Sequence, residues 1–297
     1  MVRFGDMPRL LLTVALTCAV ASSPTAQAPQ KHFLWSVRAP DAPPTYLMGS
    51  LHVLTPDYYP LHASIEQAFS QSKVLIEEVD MDEMTNPATV MPLLAKAVFT
   101  DGRTLEQVLS PDLYKTVMAR AEKIGLPAIA VQRMKPWMAA VSLTAPAFKA
   151  AGFATELGVD KYFFDKAKAS GMERRALETV AYQFDRLDQM PPPLQEAMLR
   201  SVIADLDTQL GNVKTIADAW ARGDTTGIEK DLLGAFRESP QLYDRLLAER
   251  NRNWVEPVEA CIKQRTPCFV VVGAAHLIGP DSLVGLLKKR GYQVEQQ

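Results

Sequence analysis

The sequence predicts an α/β fold: a mostly parallel central sheet flanked by helices, with helical insertions. Three runs read as strands, "YLMGSL" at 46–51, "KVLI" at 73–76 and "FVVVGAA" at 269–275. Their apolar residues are continuous rather than alternating, which indicates a sheet that is covered on both faces. Segments with helical periodicity separate the runs, and strand–helix–strand order is typical of parallel sheets.

The first half of the predicted fold contains three strands and one insertion. "HFLWSVRAP" at 32–40 is an early strand candidate. Between the second and third strands, an apolar stripe at helical spacing predicts a helix (Leu61, Ile65, Ala68 and Phe69). Residues from about 85 to 150 carry helix starts with no strand pattern, so we predict a helical insertion there.

The second half returns to the sheet. A helix is predicted over 158–171 with Gly171 as its stop, and "MERRALETV" at 172–180 contains a short strand through Ala176 and Leu177. A second helical block is predicted at about 190–265. After the strand at 269–275, one further helix leads to "YQVEQ" at 292–296, which we predict to be an edge strand.

The N-terminus predicts a secretory signal peptide at residues 1–28. Two arginines precede a short apolar run, Leu10–Ala21, and small residues follow at candidate cleavage sites. Residues 29–297 would then form a single periplasmic or secreted domain with no stable membrane insertion after cleavage. Cys18 leaves a lipoprotein anchor open. A net charge of −2 argues against a nucleic-acid partner.

Two cysteines lie beyond this leader, Cys261 and Cys268. Secretion permits a disulfide between them, and the alternative is a pair of small buried residues. A metal site made from this pair is not expected, because no other cysteine is available to it.

Polar residues follow four of the predicted strands: His52, the pair Glu77 and Glu78, Glu178, and His276. Ligands of open α/β sheets bind at the carboxyl ends of the strands, so we expect these side chains to converge. Both histidines close a Gly-x-x-His motif, "GSLH" at 49–52 and "GAAH" at 273–276. Neighbouring residues of a strand point to opposite faces, so only one glutamate of the pair should face the site.

Two imidazoles with carboxylates are a ligand set for a divalent ion such as Zn²⁺, Mn²⁺ or Co²⁺. We predict that His52, His276 and Glu78 bind the ion and that Glu178 is a further ligand or the general base. Arg250 falls on the apolar face of its helix, where it needs a site carboxylate or a substrate oxyanion as partner. Each of these residues also has a purely structural interpretation, as a core histidine, a helix cap or an ion pair.

At these residues the chain resembles the TraB/GumN family, which includes the Tiki proteins. The resemblance is carried by blocks at 46–80, 156–180 and 269–295, with "ERNRNW" at 249–254 between the last two. The paired Gly-x-x-His motifs are the family's signature. Glu77 departs from the pattern, because an apolar residue is commoner there.

The resemblance implies a fold similar to the erythromycin-esterase and ChaN-like proteins. It also implies a metal-dependent protease site that falls on His52, Glu78 and His276, with Arg250 as a supporting charge. The leading hypothesis is therefore a metal-dependent hydrolase, a peptidase, acting on a peptide or small-molecule substrate. The alternatives are a metal-free ester or amide hydrolase with a histidine general base, and a non-catalytic periplasmic factor that binds peptides or assists polysaccharide export.

Overall fold

The computed structural model describes residues 30–209, 212–236 and 239–297. The predicted signal peptide, with Cys18, lies outside these residues. The strands of the described chain are β1 (Leu34–Arg38), β2 (Thr45–Ser50), β3 (Val74–Glu77), β4 (Glu173–Ala176), β5 (Cys268–Gly273) and β6 (Gln293–Gln296). No helix among the described residues is both long and apolar enough to cross a membrane.

The six strands form one sheet in the order β4-β3-β5-β2-β1-β6. The pairs β3–β4, β3–β5 and β2–β5 are parallel, and β1 is antiparallel to both β2 and β6. A six-residue loop at 39–44 joins β1 to β2, and a connection this short permits only antiparallel pairing. The predicted mostly parallel α/β fold is confirmed, including the edge position of β6.

The centre of the sheet is dry because helices cover both faces. Residues Phe269 to Val272 of β5 are each 0 % exposed. On one face the rings of Phe69 and Phe163 lie 5.4 and 4.7 Å from the ring of Phe269. The continuous apolar runs in the sequence therefore reflect burial on both sides.

The helices fall into groups that match the predicted blocks. The flanking helices of the sheet are α1 (Ala63–Gln71), α8 (Val159–Ser170), α9 (Val180–Asp188) and α15 (Leu283–Lys289). The first insertion contains α2 (Met81–Thr85), α3 (Pro87–Lys96), α4 (Leu105–Val108), α5 (Pro111–Lys123), α6 (Ala128–Arg133) and α7 (Pro136–Ala150). The second block contains α10 (Pro192–Gln209), α11 (Asn212–Ala221), α12 (Thr225–Ile228), α13 (Pro240–Tyr243) and α14 (Glu249–Lys263).

The two helical blocks share an apolar core. It contains Leu113 and Val117 of α5, Leu143 of α7, and Leu199 of α10. The sequence predicts two separate helical blocks, but it does not show that α7 and α10 pack together. The assignment of residues 29–297 to one domain stays a prediction.

Cys261 and Cys268 form the predicted disulfide, with a Cα–Cα distance of 6.5 Å. Both residues are 0 % exposed. The bond joins the end of α14 to the start of β5. It thereby ties the helix that carries Arg250 to the strand that leads to His276.

Candidate active site at the strand ends

The predicted site residues meet at the carboxyl ends of the parallel strands. His52, Glu78 and His276 follow β2, β3 and β5, and Arg250 approaches from α14. Together they border a cavity of about 330 Å³. Glu178 follows β4 but does not line this cavity. The expected convergence of strand ends is therefore observed.

Asp160 orients the first histidine. Its carboxylate accepts hydrogen bonds from His52 Nδ1, at 2.8 Å, and from the Ser50 hydroxyl, at 2.7 Å. Because a carboxylate can only accept, His52 Nδ1 carries a proton and Nε2 is left toward the cavity. The negative charge of Asp160 at this distance raises the pKa of His52 to about 9.

Close backbone packing brings Asp160 to His52. Val159, the first residue of α8, donates its N–H to the carbonyl of Leu51. A β-carbon at Gly158 would lie 2.5 Å from the carbonyl oxygen of His52, so only glycine fits there without a shift. The start of α8 is in this way fixed against the residues that follow β2.

His276 lies in a 3-10 turn, Ala274–Leu277, and is 4 % exposed. Its Nδ1 lies 2.6 Å from Oδ1 of Asn251. The Asn251 amide nitrogen donates to the carbonyls of His276 and Asp281, which identifies Oδ1 as the acceptor and places a proton on Nδ1. Burial lowers the pKa of His276 to about 3, so its Nε2 presents a lone pair.

Glu78 is the glutamate of the pair that faces the site. Its Oε1 accepts from the backbone N–H of Gly273 at 2.7 Å, and its Oε2 accepts from Arg250 at 2.5 Å and Gln183 at 3.1 Å. Burial would raise the pKa of Glu78, but the positive charges of Arg250 and His52, together with the N–H of Gly273, hold it well below its usual range. Glu78 is therefore ionised.

Glu77 has a different environment. It is 4 % exposed, and Oε1 has no hydrogen-bond partner among the described residues. Burial, followed by the charge of Asp160, raises the pKa of Glu77 to about 8. As the alternation along a strand predicts, one glutamate faces the site and the other does not.

Arg250 joins the two site carboxylates. Nη2 donates to Glu78 and to Glu178, the latter at 2.6 Å, and Nε donates to Glu178 at 3.0 Å. Nη1 donates to the carbonyl of Leu246 and faces His276 Nε2 at 3.2 Å. Every nitrogen of this buried guanidinium therefore has a hydrogen-bond partner. Of the two anionic partners that the sequence left open, the structure shows a carboxylate of the protein.

Glu178 has its contacts on Arg250 and on the indole N–H of Trp254, at 3.0 Å. It holds the guanidinium from the side away from the cavity. The predicted role of Glu178 as ligand or base stays a prediction, and these contacts favour a positioning role instead.

The glycines of the two motifs serve different purposes. A β-carbon on Gly273 would lie 3.4 Å from Glu78 Oε1, 3.6 Å from His276 Cδ2 and 3.8 Å from His52 Nε2. Its absence leaves open the space around which the three candidate ligands meet. At Gly49 a β-carbon would instead meet the ring of Phe33. Gly49 thus makes room for close packing by the Phe33 ring and by the backbone of Ala274.

The candidate ligands carry nitrogen and oxygen donors of the kind that a divalent ion binds, and these donors are directed toward one cavity. Two imidazoles whose Nδ1 protons are held by Asp160 and Asn251 are arranged as metal-binding histidines commonly are. Glu78 adds a carboxylate beside them. Over the described ranges, however, no group of three His, Cys, Asp or Glu side chains is spaced to hold a metal ion. The side chains would have to move closer together around an ion.

Three residues of the site, Asp160, Gln183 and Asn251, are given no role by the sequence, although Asp160 lies in a block that resembles the family. Asp160 is 108 positions from His52, and an acidic residue in the first turn of a helix is ordinary. Gln183 reaches Glu78 from α9. Asn251 follows Arg250 directly, but only the packed structure shows that it faces His276.

The TraB/PrgY/gumN family model matches residues 33–296. The uncharacterized protein YbaP of Shigella flexneri is 24 % identical over 260 residues, which cover 86 % of this chain and 94 % of the relative. Metalloprotease TIKI2 of Danio rerio is 24 % identical over 330 residues, 92 % of this chain and 62 % of the relative. No solved structure matches. Because the family model spans both Gly-x-x-His motifs, the chain belongs to the TraB/PrgY/gumN family, as the resemblance predicted.

Proposed function

We propose that the protein is a metal-dependent hydrolase, a peptidase, that works in the periplasm or outside the cell. One observation carries the proposal: two histidines from different strand ends direct Nε2 toward one cavity that also contains the Glu78 carboxylate. The metalloprotease names of the TIKI relatives support the reaction class. The disulfide and the predicted signal peptide support an oxidising compartment.

In this proposal His52, His276 and Glu78 hold the ion. A divalent ion in such a site supplies Lewis acidity and lowers the pKa of bound water. Asp160 and Asn251 hold a proton on Nδ1 of each imidazole. Nε2 of the neutral His276 is then free to bind, and Nε2 of His52 would bind an ion in exchange for its proton. Arg250 fixes the orientation of Glu78.

Arg250 also has a role that depends on occupancy of the cavity. Its Nη1 faces His276 Nε2 at 3.2 Å. When His276 Nε2 binds a ligand, that N–H loses its acceptor and becomes available to a carbonyl oxygen of the substrate. A charged donor beside the reacting carbonyl stabilises the negative charge that develops there. Glu178 is a positioning residue in this scheme, because it holds the guanidinium in place.

A metal-free hydrolase is the second candidate. One observation favours it: the described residues contain no cluster with metal-binding spacing. His276 would be its general base, and the low pKa of this imidazole makes it a weak one. Hydrolysis that survives exhaustive chelation would support this candidate against the first.

The test combines metal binding with activity. Chelator-treated protein is titrated with Zn²⁺, Mn²⁺ and Co²⁺ while its melting temperature is followed, and hydrolysis of a peptide library is measured with and without each ion. We expect His52→Asn and His276→Asn to abolish both the thermal shift and the hydrolysis.

His62→Asn is the matched control. His62 is exposed and caps α1 through its side chain, a position that asparagine also fills well. The proposal fails if no ion shifts the melting temperature and no peptide is cleaved. That result would leave the non-catalytic binding factor as the better account.

A further inference from the structure

The cavity has two chemically different sides. The floor consists of the strand-end residues, including His52, Glu78, Arg250 and His276. The opposite wall is apolar and comes from the two helical blocks: Phe148, Val213, Ile216, Ala217, Leu232 and Leu247. Among the described lining residues, every ionisable side chain is on the floor. A ligand in this cavity therefore meets polar groups on one side only.

The wall extends the apolar core into the cavity. On α11, Val213, Ile216, Ala217 and Trp220 form one stripe at helical spacing. Trp220 is buried against β2 and donates to the carbonyl of Gly49 at 2.6 Å. The other three residues of the stripe line the cavity. Such a surface holds water poorly, and an apolar group that displaces this water is favoured.

These features point to one class of ligand. We propose, building on the proposed hydrolase function, that the site selects substrates with an uncharged apolar side chain next to the reacting carbonyl. The carbonyl lies over the floor, and the side chain, of leucine or phenylalanine size, lies against the wall. A cavity of about 330 Å³ has room for a side chain and the adjoining backbone.

The same wall argues against other ligands. The hydroxyl groups of a sugar chain need hydrogen-bond partners, and these six wall residues offer none through their side chains. A phosphate needs a free cation, but the guanidinium of Arg250 is shared between Glu78 and Glu178, and the imidazole of His52 is paired with Asp160. Substrates with a charged side chain at this position would bury an unpaired charge.

The test measures binding, so that it does not depend on turnover. Blocked peptides acetyl-Ala-Xaa-Ala-amide, with Leu, Phe, Asp or Lys as Xaa, are titrated against the chelator-treated protein by ligand-observed NMR. We expect dissociation constants at least tenfold lower for Leu and Phe than for Asp and Lys, within the roughly 10–200-fold range of hydrophobic pockets. Equal affinities, or a preference for charged peptides, would overturn the inference.

Cavity-filling variants test whether the wall residues cause the preference for apolar side chains. Ile216→Trp fills the cavity and should remove the preference, whereas Thr215→Trp, at the neighbouring exposed position of α11, should keep it. Leu232→Trp, at a half-buried wall position, serves as the second filling variant if the melting temperature shows that Ile216→Trp is unfolded. Preference that survives both filling variants would contradict the placement. If the protein hydrolyses no peptide but still binds the Leu and Phe peptides more tightly, only the proposed hydrolase function is rejected.

Discussion

Replacing Asp160 by asparagine tests the electrostatics of the site directly. Asparagine has the shape of aspartate and can still accept from His52 Nδ1 through its carbonyl oxygen, while its amide can donate to Ser50. The change therefore removes a charge and preserves the geometry. Because Asp160 is the main cause of the raised pKa of His52, we expect that pKa to fall toward the ordinary value of 6.5.

The exposure of His52 limits the size of this effect. A rise from 6.5 to about 9 corresponds to about 3 kcal/mol, at 1.36 kcal/mol for each pKa unit. The His52 side chain is 68 % exposed, however, and water screens such a pair to roughly 1 kcal/mol. We therefore expect the pKa of His52 to fall by about one unit in Asp160→Asn.

The sign of the stability change follows from the direction of the shift. A histidine whose pKa is raised by folding contributes its full stabilisation below pH 6.5, and loses it as the pH rises toward 9. The free energy of unfolding of the unaltered protein should therefore exceed that of Asp160→Asn by about 1 kcal/mol at pH 6. The two values should approach each other above pH 9.

The assay is an NMR titration of chelator-treated protein labelled with ¹³C-histidine, which has only four histidines to assign. Asp165→Asn is the matched control, because Asp165 lies on the same helix and pairs with Lys161. A pKa of His52 that is the same in Asp160→Asn and in the unaltered protein would refute the reasoning. So would an equal fall of that pKa in the control.

Three further predictions concern stability and local packing. Glu77→Gln should stabilise the protein, because glutamine at this buried position has no carboxyl group to ionise. The gain in free energy of unfolding should grow as the pH rises from 4.5 to 8, to at most about 5 kcal/mol. Urea unfolding at several pH values measures that gain, and Glu256→Gln, at an exposed position, is the control. Gly158→Ala should shift the start of α8 and lower the affinity for added metal ion roughly 10- to 100-fold, as measured by calorimetry. Replacing Cys261 and Cys268 together by alanine should cost about 2–3 kcal/mol in thermal unfolding, the loop-closure value for a short loop.

The fold is largely readable from the sequence because its strands differ so clearly from its helices. Val270, Val271 and Val272 are buried on both faces, and continuous burial leaves a continuous apolar run. The sequence does not give the order of the strands. β5 lies between β2 and β3, although it begins 218 positions after the end of β2 at Ser50 and 191 after the end of β3 at Glu77. That order depends on which apolar surfaces fit together, a property of the packed chain rather than of any local pattern.

The candidate site is also predictable only in part from the sequence. His52, Glu78 and His276 follow strands, and the ends of parallel strands must share one edge of the sheet, so topology alone predicts that they meet. Asp160 and Asn251 belong to helices, and their contacts depend on how each helix rotates against the sheet. Helical periodicity identifies the buried face of α14 and hence Arg250. It cannot show which carboxylate the guanidinium will reach.

Arg250 is one residue whose burial the sequence predicts and whose partners only the structure shows. Its side chain is 12 % exposed, and those of Glu78 and Glu178 are 11 % and 6 % exposed. Two buried carboxylates sharing one guanidinium leave a net negative charge, which burial makes costly unless a further cation approaches. The protonated His52 supplies a positive charge on the cavity side, where a divalent ion would also bind. Asp160 is the main cause of the raised pKa of His52, and the charge of Glu78 adds to it. The excess of negative charge around Arg250 favours a cation in this cavity.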